Sequence, residues 1–297
     1  MPIQVIPSGR ACGAEIRGVD VSQPIDDPTF DEIEQAFDQH GVIFFRNQNL
    51  TADQQVAFSA RFGPVEQNHN AEVFGINGSP DIYQLSNVLD DEGKQIGVKG
   101  SGSQWHTDMS YAPVPARATM LYTLEVPVLH GLGLGDTAFA NARAAYNALP
   151  AEMQRFLEGK HGVFDFRGRR RGRVVDQATI DRYPPVEHPI VRTHPRTGDK
   201  GLYVMRDDCT HIAELEETEG KALITALADH ITRPDFVYRH RCKAGDVLIW
   251  DNCTVQHQAI IDFDLPQRRR VWRTTVRGTA PYCLAPRAAK KLVLLLP

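Results

Sequence analysis

Residues 246–260, DVLIWDNCTVQHQAI, carry the pattern that decides the fold. The apolar run from Val247 to Trp250 stops at Asp251 and Asn252, and His257 follows. The run is too short for an ordinary helix and rich in strand formers, so it reads as a strand. The same texture fills most of the chain after Gly63. DIYQLSNV, ARATMLYTLEV, HPIVRTH, GLYVM, FVYRHRC and RVWRTTVRG are short, β-branched or aromatic, and separated by Gly, Pro, Asp and Asn at irregular intervals. Such a pattern predicts a β sandwich or barrel rather than alternating βαβ units.

Working outward, helices decorate this β texture. A helix is expected from Asp27 and Pro28 onward, with Phe30, Ile33, Ala36 and Phe37 apolar at helical spacing. Thr51 and Gln54 form a capping box for TADQQVAFSARFG, with Gly63 as its stop. Between them GVIFFR reads as a buried strand. Two further helices are expected over residues 140–157 and 216–231. Residues 162–185 are rich in Arg, Gly and Pro without periodicity, and read as a long, lid-like loop.

Composition narrows the class. With 42% hydrophobic and 24% charged residues among 297, disorder and fibrous repeats are excluded. A net charge of −4 argues against general nucleic-acid binding. Five widely spaced cysteines suggest neither a disulfide framework nor a zinc cluster. The N-terminus lacks a basic-then-apolar leader, and the longest apolar run, Leu292 to Leu296, falls far short of the roughly 20 residues a bilayer requires. The expectation is a cytoplasmic protein without membrane association, one catalytic domain over residues 1–297.

The chemistry concentrates in GSQWHTDMSY, residues 102–111. His106 and Asp108 are two apart, so in a strand both would point to one face with backbones about 7 Å apart. A chain with 11 histidines yields such a pair by chance, but His257 supplies a third ligand. Two histidines and a carboxylate are the facial set of non-haem Fe(II) oxygenases. Downstream, LPQRRRVWRTTVRG places Arg269, Val271 and Arg273 on one strand face and Arg268, Arg270 and Trp272 on the other. Arginines facing a metal would bind carboxylates bidentately, whereas on an exposed edge they would only form surface ion pairs. Parity alone leaves open which face looks inward. Thr137, after the Gly-rich turn in GLGDTAF, has a hydroxyl able to serve the same carboxylate.

WHTD, GDT-x-FAN-x-x-AAYNALP, WDN followed by His257, and the closing R-R-x-x-x-R pattern resemble the taurine dioxygenase and 2,4-dichlorophenoxyacetate dioxygenase family. The resemblance runs from about Gly13 to Gly278 and leaves the tail, residues 279–297, outside. It implies a double-stranded β-helix (a cupin-like jelly roll, mainly β with helical decoration). It also implies Fe(II), 2-oxoglutarate as co-substrate, and O2. By resemblance His106, Asp108 and His257 are the iron ligands, while Thr137 and Arg269 hold the distal carboxylate of 2-oxoglutarate. Arg273 meets the substrate anion. Three consecutive arginines leave the register ambiguous by one residue; strand parity with Arg273 selects Arg269. The products implied are a hydroxylated substrate, succinate and CO2.

The expected substrate is a small organic acid. Framework segments lean toward the phenoxyacetate branch, and Gly102 stands where the taurine branch has an asparagine. An aryloxyalkanoate-like carboxylate is therefore preferred, with a sulfonate as the other anion. Met109 and His69 are further substrate-contact candidates. The RGRRRGR stretch, Arg167 to Arg173, reads as an electropositive lid, a solvated or oligomer-contact loop, or a nucleic-acid contact. The last is disfavoured by the charge of the rest of the chain and by the lack of an aromatic platform. Asp207, Asp208 and His211 form a weak ligand-like cluster, and the other histidines show no partner at metal spacing. A homo-oligomer is expected. Competing readings are a non-oxygenase metal enzyme of the same fold, a cupin-like binding module, or an oxygenase for a non-anionic substrate.

Overall fold

Two sheets packed face to face form the centre of the molecule. The computed structural model describes residues 3–67, 75–76, 79–169 and 174–284. Its larger sheet runs in the order Gln4–Pro7, Ala14–Arg17, Val42–Phe45, Val247–Asp251, Ala116–Glu125, Arg270–Arg277 and Tyr83–Ser86. The smaller sheet places Thr137–Asn141 between Val237–His240 and Val255–Ala259. From residue 237 onward successive strands alternate between sheets: Val237–His240 small, Val247–Asp251 large, Val255–Ala259 small, Arg270–Arg277 large. This winding is a double-stranded β-helix, the jelly roll that the sequence led us to expect.

Strand alternation explains why GVIFFR is apolar throughout. Ile43 and Phe45 pack with Ile33, Phe37, Phe58 and Ile249 beneath the helices Asp27–His40 and Ala52–Ala60. Val42 and Phe44 point the other way, joining Leu121, Phe139, Leu248 and Trp250 between the sheets. Both faces are covered, so all four residues are buried. Burial of each large side chain contributes about 1.5–3 kcal/mol. The first helix is capped by Asp26, which accepts from Thr29 N at 2.8 Å, and ends at Gly41 with φ 68°. A Cβ at Gly41 would lie 2.9 Å from Thr254 Cγ2. Both bonds of the Thr51–Gln54 capping box form, although that helix ends at Ala60, before Gly63.

Two expectations need correction. Residues 140–157 are not one helix. Thr137–Asn141 is a strand paired on both sides, Asn141 caps Ala142–Asn147, and Pro150 precedes a separate helix, Ala151–Leu157. Proline offers no amide hydrogen, so the first helix cannot run through it. Residues 162–185 are not simply a loop either. His161–Phe164 is a strand between Val186–Pro189 and Cys209–Ile212, followed by the short helices Phe166–Arg169 and Gln177–Arg182. Elements of four to six residues leave no readable period. This region packs into a further core with the helix Glu217–Ile231. All five cysteines are free. No helix among the described residues is long and apolar enough to cross a membrane.

Candidate active site

His106 and His257 meet as backbone partners across the mouth of the jelly roll. His106 N donates to His257 O at 3.0 Å, and His257 N to His106 O at 2.8 Å. Asp108 does not continue a strand, contrary to the sequence reading; it stands in a turn, with Met109 next at φ 57°. The turn swings the carboxylate back toward both imidazoles. His106 Nε2 lies 3.8 Å from Asp108 Oδ1 and His257 Nε2 3.7 Å from Asp108 Oδ2. These separations exceed hydrogen-bonding range, yet the three ligand atoms all lie within 4.8 Å of one another. Such a spacing suits donors arranged around one ion.

Surrounding groups hold this arrangement. Thr119 Oγ1 donates to Asp108 Oδ2 at 2.6 Å. Asn252 Oδ1 accepts from Asp108 N at 3.0 Å and from Trp250 Nε1 at 3.2 Å, while its Nδ2 donates to Thr119 Oγ1 at 3.2 Å. His106 Nδ1 donates to Gln104 O at 2.6 Å, leaving Nε2 to face Asp108. Burial, then nearby Arg169, pushes His106 below its ordinary pKa; burial, then His106, does the same for His257. Although burial alone would raise the Asp108 carboxyl, Arg273, the two imidazoles and Thr119 pull it well below the usual carboxylate range. Neutral imidazoles beside an ionised carboxylate are the protonation states that metal binding requires.

A small cavity of about 40 Å³ adjoins the triad, lined by His106, His257, Thr137, Arg269 and Arg273 among others. Arg269 has no carboxylate partner among the described residues, and burial lowers its pKa. Gly135 makes room for it: a Cβ there would sit 3.1 Å from Arg269 Cδ. Arg268 and Arg270 instead face Glu125, at 3.2 and 3.8 Å. The inward face thus carries Arg269 and Arg273, which parity could group but not orient.

A larger cavity of about 530 Å³ is lined in part by Asp108. Arg273 lines both cavities, and its guanidinium lies 2.8 Å from Asp108 Oδ1. Met109 lines the larger one beside the rings of Tyr111, Phe166 and Tyr183. Tyr111 packs edge-on against Phe166 at 4.8 Å and Tyr183 at 5.0 Å. His69 and Arg170 to Arg173 lie outside the described residues.

Residues 4–275 match the family described as taurine catabolism dioxygenase TauD, TfdA. The chain belongs to this family. It is a 2-oxoglutarate-dependent dioxygenase, and enzymes of this family use Fe(II), 2-oxoglutarate and O2. It is 33% identical to the alpha-ketoglutarate-dependent 2,4-dichlorophenoxyacetate dioxygenase of Cupriavidus pinatubonensis, over 94% of this chain and 99% of that one. It is 31% identical to an alpha-ketoglutarate-dependent sulfate ester dioxygenase of Pseudomonas putida, over 95% and 91% of the two chains. Among solved structures, a taurine dioxygenase from Burkholderia xenovorans matches with TM-score 0.79 at 36% identity, over 95% and 91% of the chains. AAD-2 in complex with Mn(II) and N-oxalylglycine matches with TM-score 0.80 at 29% identity, over 95% and 100%.

The dioxygenase contains a second ligand-like group that the sequence reading did not see: His194, Asp251 and Cys253. His194 therefore does have a partner. Its Nε2 donates to Asp251 Oδ2 at 2.8 Å, because its Nδ1 accepts from the Arg196 and Thr197 amides. Asp251 also accepts from Thr254 Oγ1 at 2.6 Å and Cys253 N at 2.8 Å. Burial pushes the Cys253 thiol up to about 12, so it stays protonated. These atoms are already satisfied, and they lock the turn that carries Asn252 between two strands. Sequence reasoning also missed Thr119, Asn252 and the aromatic wall. Only Asn252 had a signal, within WDN; Tyr111, Phe166 and Tyr183 are scattered along the chain and meet only in space.

Proposed function

We propose that this dioxygenase hydroxylates a small ring-bearing organic acid, an aryloxyalkanoate carboxylate in preference to a sulfonate, with release of succinate and CO2. One observation carries the reading: Arg273 stands at the junction of both cavities, beside Asp108, and the larger cavity continues along the rings of Tyr111, Phe166 and Tyr183. A carboxylate on Arg273 would leave an attached ring in contact with that wall. The 2,4-dichlorophenoxyacetate enzyme of C. pinatubonensis, similar along nearly its whole length, points to the same class.

In this reading His106, Asp108 and His257 hold Fe(II), and Thr137 with Arg269 binds the distal carboxylate of 2-oxoglutarate. When bound, iron and 2-oxoglutarate supply the oxidising power for breaking a substrate C–H bond. The chain supplies position and charge. Thr119 and Asn252 orient the Asp108 carboxylate, Gln104 O fixes the His106 tautomer, and Arg269 offers a buried cation to the co-substrate. Arg273 sets the distance between the substrate's acid group and the triad, with Met109 lining the wall beside it. His69 is proposed as a further substrate contact. The Arg167–Arg169 part of the lid stretch is ion-paired within the protein, Arg167 with Asp165 and Arg169 with Asp208, which favours a structural role there over a free cationic surface.

A succinate-release screen tests the proposal. Aryloxyacetates should stimulate 2-oxoglutarate consumption more than alkyl sulfonates or alkyl sulfates; stimulation by the sulfur acids alone overturns it. We further propose a homo-oligomer, supported by the exposed Val128, Leu129 and Leu132 of one hairpin. Sedimentation velocity showing a monomer at micromolar concentration would refute that.

A further inference from the structure

Of the described arginines in the RGRRRGR stretch, Arg169 alone lines the larger cavity, yet its charge is already matched. Its NH2 donates to Asp208 Oδ2 at 2.8 Å and to Thr107 O at 2.5 Å, and its Nε to Asp208 Oδ1 at 3.2 Å. Asp208, almost wholly buried, also accepts from Ser110 Oγ. Thr107 and Ser110 bracket Asp108 and Met109, so the Arg169–Asp208 pair grips the turn that presents the carboxylate ligand from both sides. The Arg169 guanidinium lies 5.2 Å from the ring centre of Tyr111. Phe166, on the same short helix, packs on Tyr111 at 4.8 Å and on Tyr183 at 5.6 Å.

We infer that Arg169 is a positioning residue that pins the aromatic wall of the substrate cavity to the Asp108 turn, so that wall and metal ligand keep one register. This rests on the proposed metal and substrate sites. Arg169 is not a receptor for the substrate's anion in this reading, because Asp208 already balances its charge and its Nε and NH2 are held by Asp208 and Thr107 O. Lysine should replace it only in part, since an ammonium lacks the planar fork that spans Asp208 and Thr107 O together.

The test compares Arg169→Ala, Arg169→Lys and Asp208→Asn with the wild type and with Arg167→Ala, whose side chain stands outside the cavity. Mn(II) affinity of the metal-free protein, measured by electron paramagnetic resonance, reads the ligand turn without any substrate. The amount of succinate formed per 2,4-dichlorophenoxyacetate hydroxylated reads the wall. We expect Arg169→Ala to weaken Mn(II) binding about tenfold, the scale seen when a partner orienting a ligand is lost. It should also raise succinate per product well above one, with the 2-oxoglutarate KM unchanged within about twofold. Arg169→Lys should fall between, Arg167→Ala should match wild type, and Asp208→Asn should follow Arg169→Ala, which keeps the test intact if the alanine variant fails to fold. Wild-type Mn(II) affinity and coupling in a folded Arg169→Ala overturn the inference. So does a raised substrate KM alone with one succinate per product, which would make Arg169 a substrate-binding cation. A wild type that binds Mn(II) but oxidises no aryloxyacetate sinks the proposed substrate, and the Mn(II) comparison still decides the pin. A wild type that binds no Mn(II) overturns the metal reading and the inference together.

Discussion

In the proposed function, two arginines four residues apart, Arg269 and Arg273, divide the labour of anion recognition. Arg269 faces the small cavity with Thr137, whereas Arg273 reaches both cavities and touches Asp108. Arg269→Ala should therefore raise the KM for 2-oxoglutarate about 10- to 100-fold, the scale of a lost hydrogen bond to a charged group. Its effect on the substrate KM should be less than about threefold. Arg273→Ala should show the opposite split in steady-state kinetics; a reversed pattern would place the strand in the other register. His257→Ala should abolish succinate formation and Mn(II) binding together, and retention of either would remove it from the ligand set. These candidates were legible because a metal and two carboxylates would demand particular side chains. The orientation of the arginine face was not legible, since alternation groups residues without saying which group looks inward.

The turn Asp251–Thr254 joins a strand of the large sheet to one of the small sheet and so sets Asn252 and His257 against Asp108. Its lock is the buried Asp251 carboxylate, bonded to His194, Thr254 and the Cys253 amide. Asp251→Ala should lower unfolding free energy by about 3–5 kcal/mol in urea titrations, the range for removing one partner of a buried polar pair. A loss below 1 kcal/mol would show that the turn holds without it. On the strand Val186–Pro189, His188 donates to Ala112 O at 3.0 Å. Burial, then Arg192, pulls His188 down to about 4 from an ordinary value of 6.5. The unfolded chain therefore takes up this proton first as pH falls. The stability contribution is complete above pH 6.5 and is lost progressively toward pH 4. The unfolding free energy of His188→Gln should decline less steeply over that interval than that of the wild type; parallel declines would show that His188 does not titrate there. Short elements such as Phe166–Arg169 escaped the sequence reading because one helical turn leaves no period, and Pro150 divided what composition joined.

Across the molecule, the candidate triad takes His106 from an isolated bridge, Asp108 from the turn that follows it and His257 from a strand of the small sheet. Ligands that bind this assembled site and not the unfolded chain stabilise it by mass action, by about 2.7 kcal/mol at a hundredfold excess over Kd. Mn(II) with 2-oxoglutarate should thus raise the Tm by several degrees. The same addition should leave Asp108→Ala unmoved, and an equal shift in that variant would mean that the metal binds elsewhere. The sequence by itself determined a mainly β class and, through its family resemblance, the jelly roll; it also pointed to three candidate metal ligands and two candidate anion-binding arginines, because the chemistry of iron and carboxylates permits few residue types. Only the tertiary structure decided that Asp108 sits in a turn, that the face carrying Arg269 and Arg273 looks inward, that Asp208 already neutralises Arg169, and that Tyr111, Phe166 and Tyr183 form one wall. Those outcomes depend on which distant segments pack together, and contacts between residues far apart in the chain leave no local pattern to read.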